Sequence, residues 1–293
     1  MGAVPHPLTT EPCPPEFEAA IMSTLFYSLD VSALSCPDEN FSLNVAEEVP
    51  VSLLFNGIFP YGTMMMTPAD LEDFAHGYCI TEQIVGSVAD IRSVNIVAAE
   101  DGLTLDIFIR GRALTRLMRR NVRMQTGHSS CGICGSETVP EYDAVAAAPL
   151  GEGPSLSVTA IRNALHELRK WQTLNAATRM VHAAAWANNN GNIHMIREDV
   201  GRHNALDKLI GVRASHPDVF HEGFCLLTSR YSFEMALKTV RAGIAVVVAI
   251  SAPTYRAFRT AEKMNQTLIA IARQDEQTLF CGGRRLTGLY PTS

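Results

Sequence analysis

"GFCLLTSRYSFEMALKTVRAGIAVVVAIS", residues 223 to 251, decides the fold of this chain. "GFCLLTS" is a short apolar run of strand length, "SFEMALKTVRAG" spaces its apolar residues as a helix does, and "IAVVVAI" is β-branched and strand-like again. Working outward, helix "TYRAFRTAEKMNQ" precedes strand "TLIAIA" downstream. Upstream, helix "RHNALDKLIG" precedes "GFCLLTS", and one long helix through "IRNALHELRKWQTLNAATRMVHAAAWA" precedes strand "NIHMIRE". Such alternation predicts a mainly parallel sheet covered by helices. Ligands of such sheets bind beyond the carboxyl ends of the strands, which points to "TSR" (228 to 230) and "SAPT" (251 to 254).

The pattern changes at "AAAPLGEGPSLS", residues 146 to 157, a small-residue Gly/Pro stretch with the composition of a linker. Ahead of it, "EVPVSLLFNGIFPYGTMMMT" reads as a hairpin turning at Asn56-Gly57, and "VNIVAAEDGLTLDIFI" as a second turning at Asp101-Gly102. Between them a helix is expected, with Thr67 as N-cap and Pro68 at its first position. The chain therefore divides into a Pro-rich tail (1–40), a hairpin-rich α+β domain (41–150) and an α/β domain (151–293).

With 293 residues, 47% of them hydrophobic and 18% charged, the chain can bury one large core or two smaller ones. Its net charge of −6 excludes a globally basic nucleic-acid binder. The start has no basic region followed by an apolar stretch, and no apolar run approaches the roughly 20 residues of a membrane helix, so a cytoplasmic protein is expected. Seven cysteines at irregular spacing do not make a disulfide framework.

Two of them, Cys131 and Cys134, form a CxxC within "TGHSSCGICGSE", residues 126 to 137. Three chemistries fit. Zinc would find three ligands in His128, Cys131 and Cys134 but no evident fourth. A redox pair is favoured by the lowered thiol pKa of a CxxC, although such pairs usually sit where a strand feeds a helix. A persulfide carrier is the third, since glycines on either side suit a loop that must visit two partners. Just upstream, Arg112, Arg116, Arg119 or Arg120, and Arg123 share one helix face. They form either a solvated surface or a cationic stripe that favours a thiolate and can hold phosphates.

"REDVGRHNALDK", residues 197 to 208, gathers eight polar or charged side chains between a strand and a helix. Asp199 could cap the helix and leave the rest as an exposed first turn; so polar a strand exit is better suited to a ligand or a subunit contact. His182 lies on an apolar stretch and reads as a core histidine. Met64 to Met66 read as core filler.

Together with "EVPVSLLFNG", "TPADLEDFAHGY", "CGICG", "VHAAA" and "LTSRYSFEMALKTVRAGIAVVVAISAPT", in this order, "REDVGRHNALDKLIG" closely resembles segments of the FdhD family, the formate dehydrogenase accessory sulfurtransferases. The similarity runs from about residue 45 to near the C-terminus. It implies a cytidine-deaminase-like three-layer α/β/α C-terminal domain beside the smaller N-terminal one, usually in a homodimer. It also implies a sulfur carrier that accepts sulfur from a cysteine desulfurase. The sulfur would pass to the molybdenum or tungsten of a bis-molybdopterin guanine dinucleotide, which apo formate dehydrogenase requires.

Carried onto this chain, the resemblance makes Cys131 the persulfide carrier and Cys134 its partner. It makes Ile271, Ala272, Arg273, Gln274, Asp275 and Glu276 the cofactor-binding segment, for which GDP would be a partial mimic. The family commonly has a glycine pair where Arg179 and Met180 stand, and a glycine-rich turn in place of Gln274, Asp275 and Glu276. A cofactor chaperone without sulfur transfer is the alternative. Deamination is excluded by residues: His182-Ala183-Ala184 lacks the glutamate of H-x-E, and the CxxC follows Ser130 rather than proline.

Overall fold

The structure is a computed structural model, and it describes residues 25–99, 101–121, 148–220 and 222–289. The chain folds as α/β, with helices on both faces of a six-stranded sheet and a second, four-stranded sheet in the N-terminal half.

The large sheet has the order β13-β12-β11-β10-β8-β9. Its strands are β8 (His182–Asn188), β9 (Ile193–Asp199), β10 (Gly223–Leu227), β11 (Val246–Ala249), β12 (Thr267–Ala270) and β13 (Thr278–Cys281). Strands β9 to β12 run one way, because β8 is antiparallel to both β9 and β10 and the β10–β11 and β11–β12 pairs are parallel; β13 is reversed like β8. Alternate residues feed two cores. Ala184, Trp186, Cys225, Leu227, Val247 and Ala249 pack under helices α5 (Arg202–Ser215), α6 (Phe233–Arg241) and α7 (Tyr255–Lys263). Ala185, Ala187, Phe224, Leu226, Val246 and Val248 pack under α3 (Val158–Trp171).

Strand β8 corrects the sequence expectation. The long helix through residues 161–187 instead ends at Trp171, continues as the short α4 (Thr173–Thr178), and gives way to a buried strand. Alanine has the highest helix propensity, yet Ala183 to Ala187 sit between two strands and beneath helices on both faces, where backbone pairing and small volume outweigh it. Arg179, at the end of α4, has φ 60°. The left-handed backbone there is what a glycine supplies freely, so arginine at this position carries strain that glycine would not.

The four-stranded sheet has the order β4-β3-β6-β5, from β3 (Val49–Phe55), β4 (Phe59–Met66), β5 (Ile91–Ala99) and β6 (Gly102–Ile109), with β3 and β6 parallel. Both expected hairpins are present, the second turning earlier than Asp101-Gly102 because Gly102 already lies in β6, paired with Ala99. Asn56 and Gly57 both have positive φ, the conformation of a type I′ turn. Helix α1 (Leu71–Thr81) and the arginine-rich α2 (Gly111–Asn121) cover this sheet through Leu71, Phe74, Ala75, Ala113 and Leu117. Helix α1 starts later than expected. Its N-cap is Asp70, and Thr67 is instead buried, its amide donating to Asp199 Oδ2 at 3.1 Å.

Residues 26–40, which the sequence assigns to the tail, belong to a two-stranded ribbon of β1 (Phe26–Ala33) and β2 (Cys36–Ala46). The expected linker is anchored rather than free over its described part. Leu150 is bonded to Met264 and Asn265, Arg285 donates to the carbonyls of Gly151 and Glu152, and Leu156–Ser157 form β7, paired with β14 (Leu286–Thr287).

The two halves meet where α1 crosses α5. This seam consumes much of "REDVGRHNALDK". Lys208, fully buried, donates to Asp199 Oδ2 at 2.6 Å and to the Thr67 carbonyl at 3.0 Å. Asp199 Oδ1 accepts from Gly201 N and Asn204 Nδ2, so it does not cap α5 in the ordinary sense; Gly201 holds that position. Lys238 binds Asp207 at 2.8 Å and Glu82 at 3.0 Å, and Arg197 binds Asp73 at 2.7 Å. Such pairs are weak sources of stability but costly to break singly, at about 3 to 5 kcal/mol.

Candidate functional site

Strands β9 to β12 deliver their carboxyl ends to one edge of the large sheet, and the loops leaving them are stitched together. Tyr231 N donates to Ala252 O at 3.3 Å and Thr254 N to Tyr231 O at 3.0 Å, while Ile271 N donates to Ser251 O at 3.2 Å. The Tyr231 ring is fully buried, with its hydroxyl 2.7 Å from Thr239 Oγ1 and 2.6 Å from Gln266 Oε1. This fixes the "TSR" and "SAPT" segments beside each other and beside residue 271. The edge expected from the alternation of helices and strands is thus a continuous surface.

The segment Ile271–Glu276 follows β12 directly. Ala272 is buried, whereas Arg273, Gln274, Asp275 and Glu276 are exposed on a turn closed by Arg273 N on Glu276 O at 2.8 Å. Gln277 Nε2 ties the Arg273 and Gln274 carbonyls at 2.6 and 2.8 Å. Ile271 has φ 51°. A β-branched residue held left-handed costs on the order of 1 to 3 kcal/mol and persists where surrounding contacts over-determine it, commonly at ligand clamps.

Strand β8 begins at the same edge because it runs against β10. Thr228 N donates to Ala183 O at 3.1 Å and Ala183 N to Thr228 Oγ1 at 2.8 Å, which sets His182 beside Ser229 and Arg230. On its other side His182 pairs with Asp199, three residues before Arg202. His182 is therefore a half-buried edge residue rather than a core one, and the misread helix is why the sequence hides it. Burial holds its pKa below the ordinary histidine value, assisted by the charges of Arg202 and Arg230. His203 is pushed down to about 4 by burial, with Arg202 and Lys238 adding to the effect. Both imidazoles are neutral near pH 7.

Cys131 and Cys134, with His128 and Arg123, lie outside the described residues, so the CxxC expectation has no geometry to set beside it. Arg112, Arg116 and Arg119 are exposed on α2, as a shared outward face requires. Two of the remaining thiols are poor candidates for thiolate chemistry: Cys79 and Cys225 are fully buried, and burial raises both, Cys225 to about 12. Among the described residues no three His, Cys, Asp or Glu side chains converge as a metal site would require, and no helix is long and apolar enough to cross a membrane.

The FdhD/NarQ family model matches residues 46–287. This chain belongs to that family. "Sulfur carrier protein FdhD" of Bordetella bronchiseptica is 43% identical over 243 residues, 83% of this chain and 87% of the relative. The proteins of the same name from Cupriavidus necator and Xanthomonas euvesicatoria pv. vesicatoria are 41% and 43% identical over 250 and 245 residues, covering 85% and 83% of this chain and 84% and 85% of theirs. A crystal structure assigned as a formate dehydrogenase accessory protein from Desulfotalea psychrophila superposes with a TM-score of 0.68 at 22% identity, over 90% of this chain and 99% of the other. That likeness gives the fold. The residues matched by the FdhD/NarQ model include both sheets and the sheet edge described here and, in sequence, Cys131 and Cys134.

Proposed function

We propose that this protein is a sulfurtransferase that matures formate dehydrogenase. Cys131, as thiolate, attacks the outer sulfur of a cysteine desulfurase persulfide; the S–S bond breaks, the desulfurase leaves as thiolate, and Cys131 becomes the persulfide. His128 and the α2 arginines favour these anionic forms. The outer sulfur then passes to the molybdenum or tungsten of a bis-molybdopterin guanine dinucleotide, the substrate, and Cys131 is released as thiolate. Converting the neutral sulfur to a sulfide ligand takes two electrons, which the reduced metal supplies. Cys134 positions the loop or discharges a stranded persulfide as a disulfide.

The observation that carries this reading is the 43% identity, over 83% of the chain, to a protein named as a sulfur carrier. The sheet edge supports it by offering a fixed surface for the nucleotide, including Ile271–Glu276 with Arg273 as its cation. In this reading the C-terminal domain is cytidine-deaminase-like, supported by α3 on one face of the sheet and α5 to α7 on the other. The protein works in the cytoplasm as a homodimer. The β1–β2 ribbon favours the dimer: Tyr27, Leu29 and Val31 pair with Val45, Leu43 and Phe41 on one largely apolar face, while Ser28–Asn44 and Ser32–Asn40 hydrogen-bond on the other. Tyr27, Leu29, Phe41 and Leu43 are exposed there, with Glu47 beside the Tyr27 hydroxyl at one end, and an apolar surface of that kind is self-complementary across a two-fold axis.

The test is formate oxidation in cells whose only copy carries Cys131→Ala. Loss of activity is expected, with activity retained for Cys79→Ser and Cys225→Ser proteins that remain folded. Normal oxidation with Cys131→Ala overturns the reading.

A further inference from the structure

On α3 and α7 exposed cations find acids within their own helix: Lys170 meets Glu167 at 2.7 Å and Arg259 meets Glu262 at 3.0 Å. Helix α2 departs from this. Arg112, Arg116 and Arg119 are exposed and form no ion pair or hydrogen bond with any described residue, while Ala113 and Leu117 on the other side of the helix are buried in the core of the four-stranded sheet. Six of the chain's 24 lysines and arginines stand within residues 110–123 and no acid stands between Asp106 and Glu137, although the chain as a whole carries a net charge of −6. Spacings of four and three residues line the three guanidinium groups along about 10 Å of one face, where they repel one another. Arg112 also stands in a first turn without acids, at the positive end of the helix dipole. The described residues supply no counter-charge, which leaves this face open to an acidic surface from outside the chain.

Its place in the chain says which surface. Helix α2 ends at Asn121, and Cys131 follows ten residues later, at most about 36 Å of chain. In the reading given under Proposed function the cofactor lies on this chain's own sheet edge, so the protein that must approach from outside to load Cys131 is the persulfide donor. We propose that the arginine face of α2 docks an acidic patch beside the active site of that donor. The docking face rests on the sulfur-carrier reading and adds to it the surface that brings the two thiols together. Attraction between opposite patches raises the encounter rate and fixes register, and salt screens it. Such steering needs only charge, so lysine can replace arginine; a grip on phosphate through paired hydrogen bonds needs the guanidinium fork.

The test is the rate at which a pre-formed cysteine desulfurase persulfide loads the full chain, read by mass spectrometry of the Cys131 peptide from about 0.02 to 0.5 M salt. The wild type is compared with Arg112→Gln/Arg116→Gln/Arg119→Gln and with Arg112→Lys/Arg116→Lys/Arg119→Lys, with thermal unfolding as the check on folding. Each loading rate is divided by the rate at which neutral iodoacetamide alkylates Cys131 in the same protein, which removes any effect of the arginines on thiolate content. At low salt the ratio is expected to fall about tenfold or more in the glutamine variant and to stay near the wild-type value in the lysine variant. The wild-type ratio should fall toward that of the glutamine variant as salt rises. Loading and alkylation that fall together, or that both stay unchanged, overturn the docking face, and so does a lysine variant as slow as the glutamine one. In each of these cases the wild type is still loaded and the sulfur-carrier reading stands. A wild type that the desulfurase does not load removes that reading, and the docking face with it.

Discussion

Gly77 of α1 and Gly211 of α5 hold their helices backbone to backbone: a Cβ on Gly77 would lie 1.7 Å from the Asp207 carbonyl oxygen, and one on Gly211 would lie 1.8 Å from that of Asp73. The polar seam depends on this approach, since Asp207 and Asp73 are themselves the partners of Lys238 and Arg197. Gly77→Ala must push α1 away and stretch those ion pairs together. The expected loss is about 3 kcal/mol or more, from overpacking plus weakened buried pairs. Urea unfolding measures it, and a midpoint equal to that of the wild type contradicts the seam's role.

Much of this arrangement is legible in the residues. The turn at Asn56-Gly57, the strands at 223–227 and 246–249 and the helix between them follow from local spacing and turn chemistry, so local rules suffice. The failures share a cause. Ala183 to Ala187 carry a helical composition but are placed in a central strand by neighbours far away in sequence, and with them went the position of His182. Asp199 looks like a helix cap because its partner Thr67 lies 132 residues away in the other half of the chain. At the sheet edge, "TSR" and "SAPT" could be located from alternation alone.

The apolar face of the β1–β2 ribbon predicts self-association. Leu29 and Leu43 face each other across the two strands and are 47% and 44% exposed in the single chain, so replacing both by aspartate puts like charges across a two-fold contact. Light scattering after size exclusion should give a dimer for the wild type and a monomer for Leu29→Asp/Leu43→Asp. An unchanged dimer would remove the ribbon from the interface.

Acid sensitivity has a defined direction. An unfolded histidine takes up a proton near pH 6.5, whereas folded His203 resists it until about pH 4. Its contribution to stability is therefore present above pH 6.5 and lost as the pH falls through that window, by at most about 3 kcal/mol. His182, also lowered, acts in the same sense. Asp207, raised to about 6 by burial, acts in the opposite sense, so the comparison must be between variants. His203→Gln should lose less stability than the wild type between pH 6.5 and 4.5 in denaturant titrations. Parallel curves would contradict the neutral His203.

The central claim is that sulfur travels on Cys131. Mass spectrometry of the purified protein after incubation with a cysteine desulfurase and cysteine tests it most directly. The account predicts one added sulfur on the peptide containing Cys131, removable by a thiol reductant, absent from Cys131→Ala and retained on Cys134→Ala. Sulfur on any other cysteine of the Cys131→Ala protein, or none on the wild type under conditions where the desulfurase turns over, would contradict it.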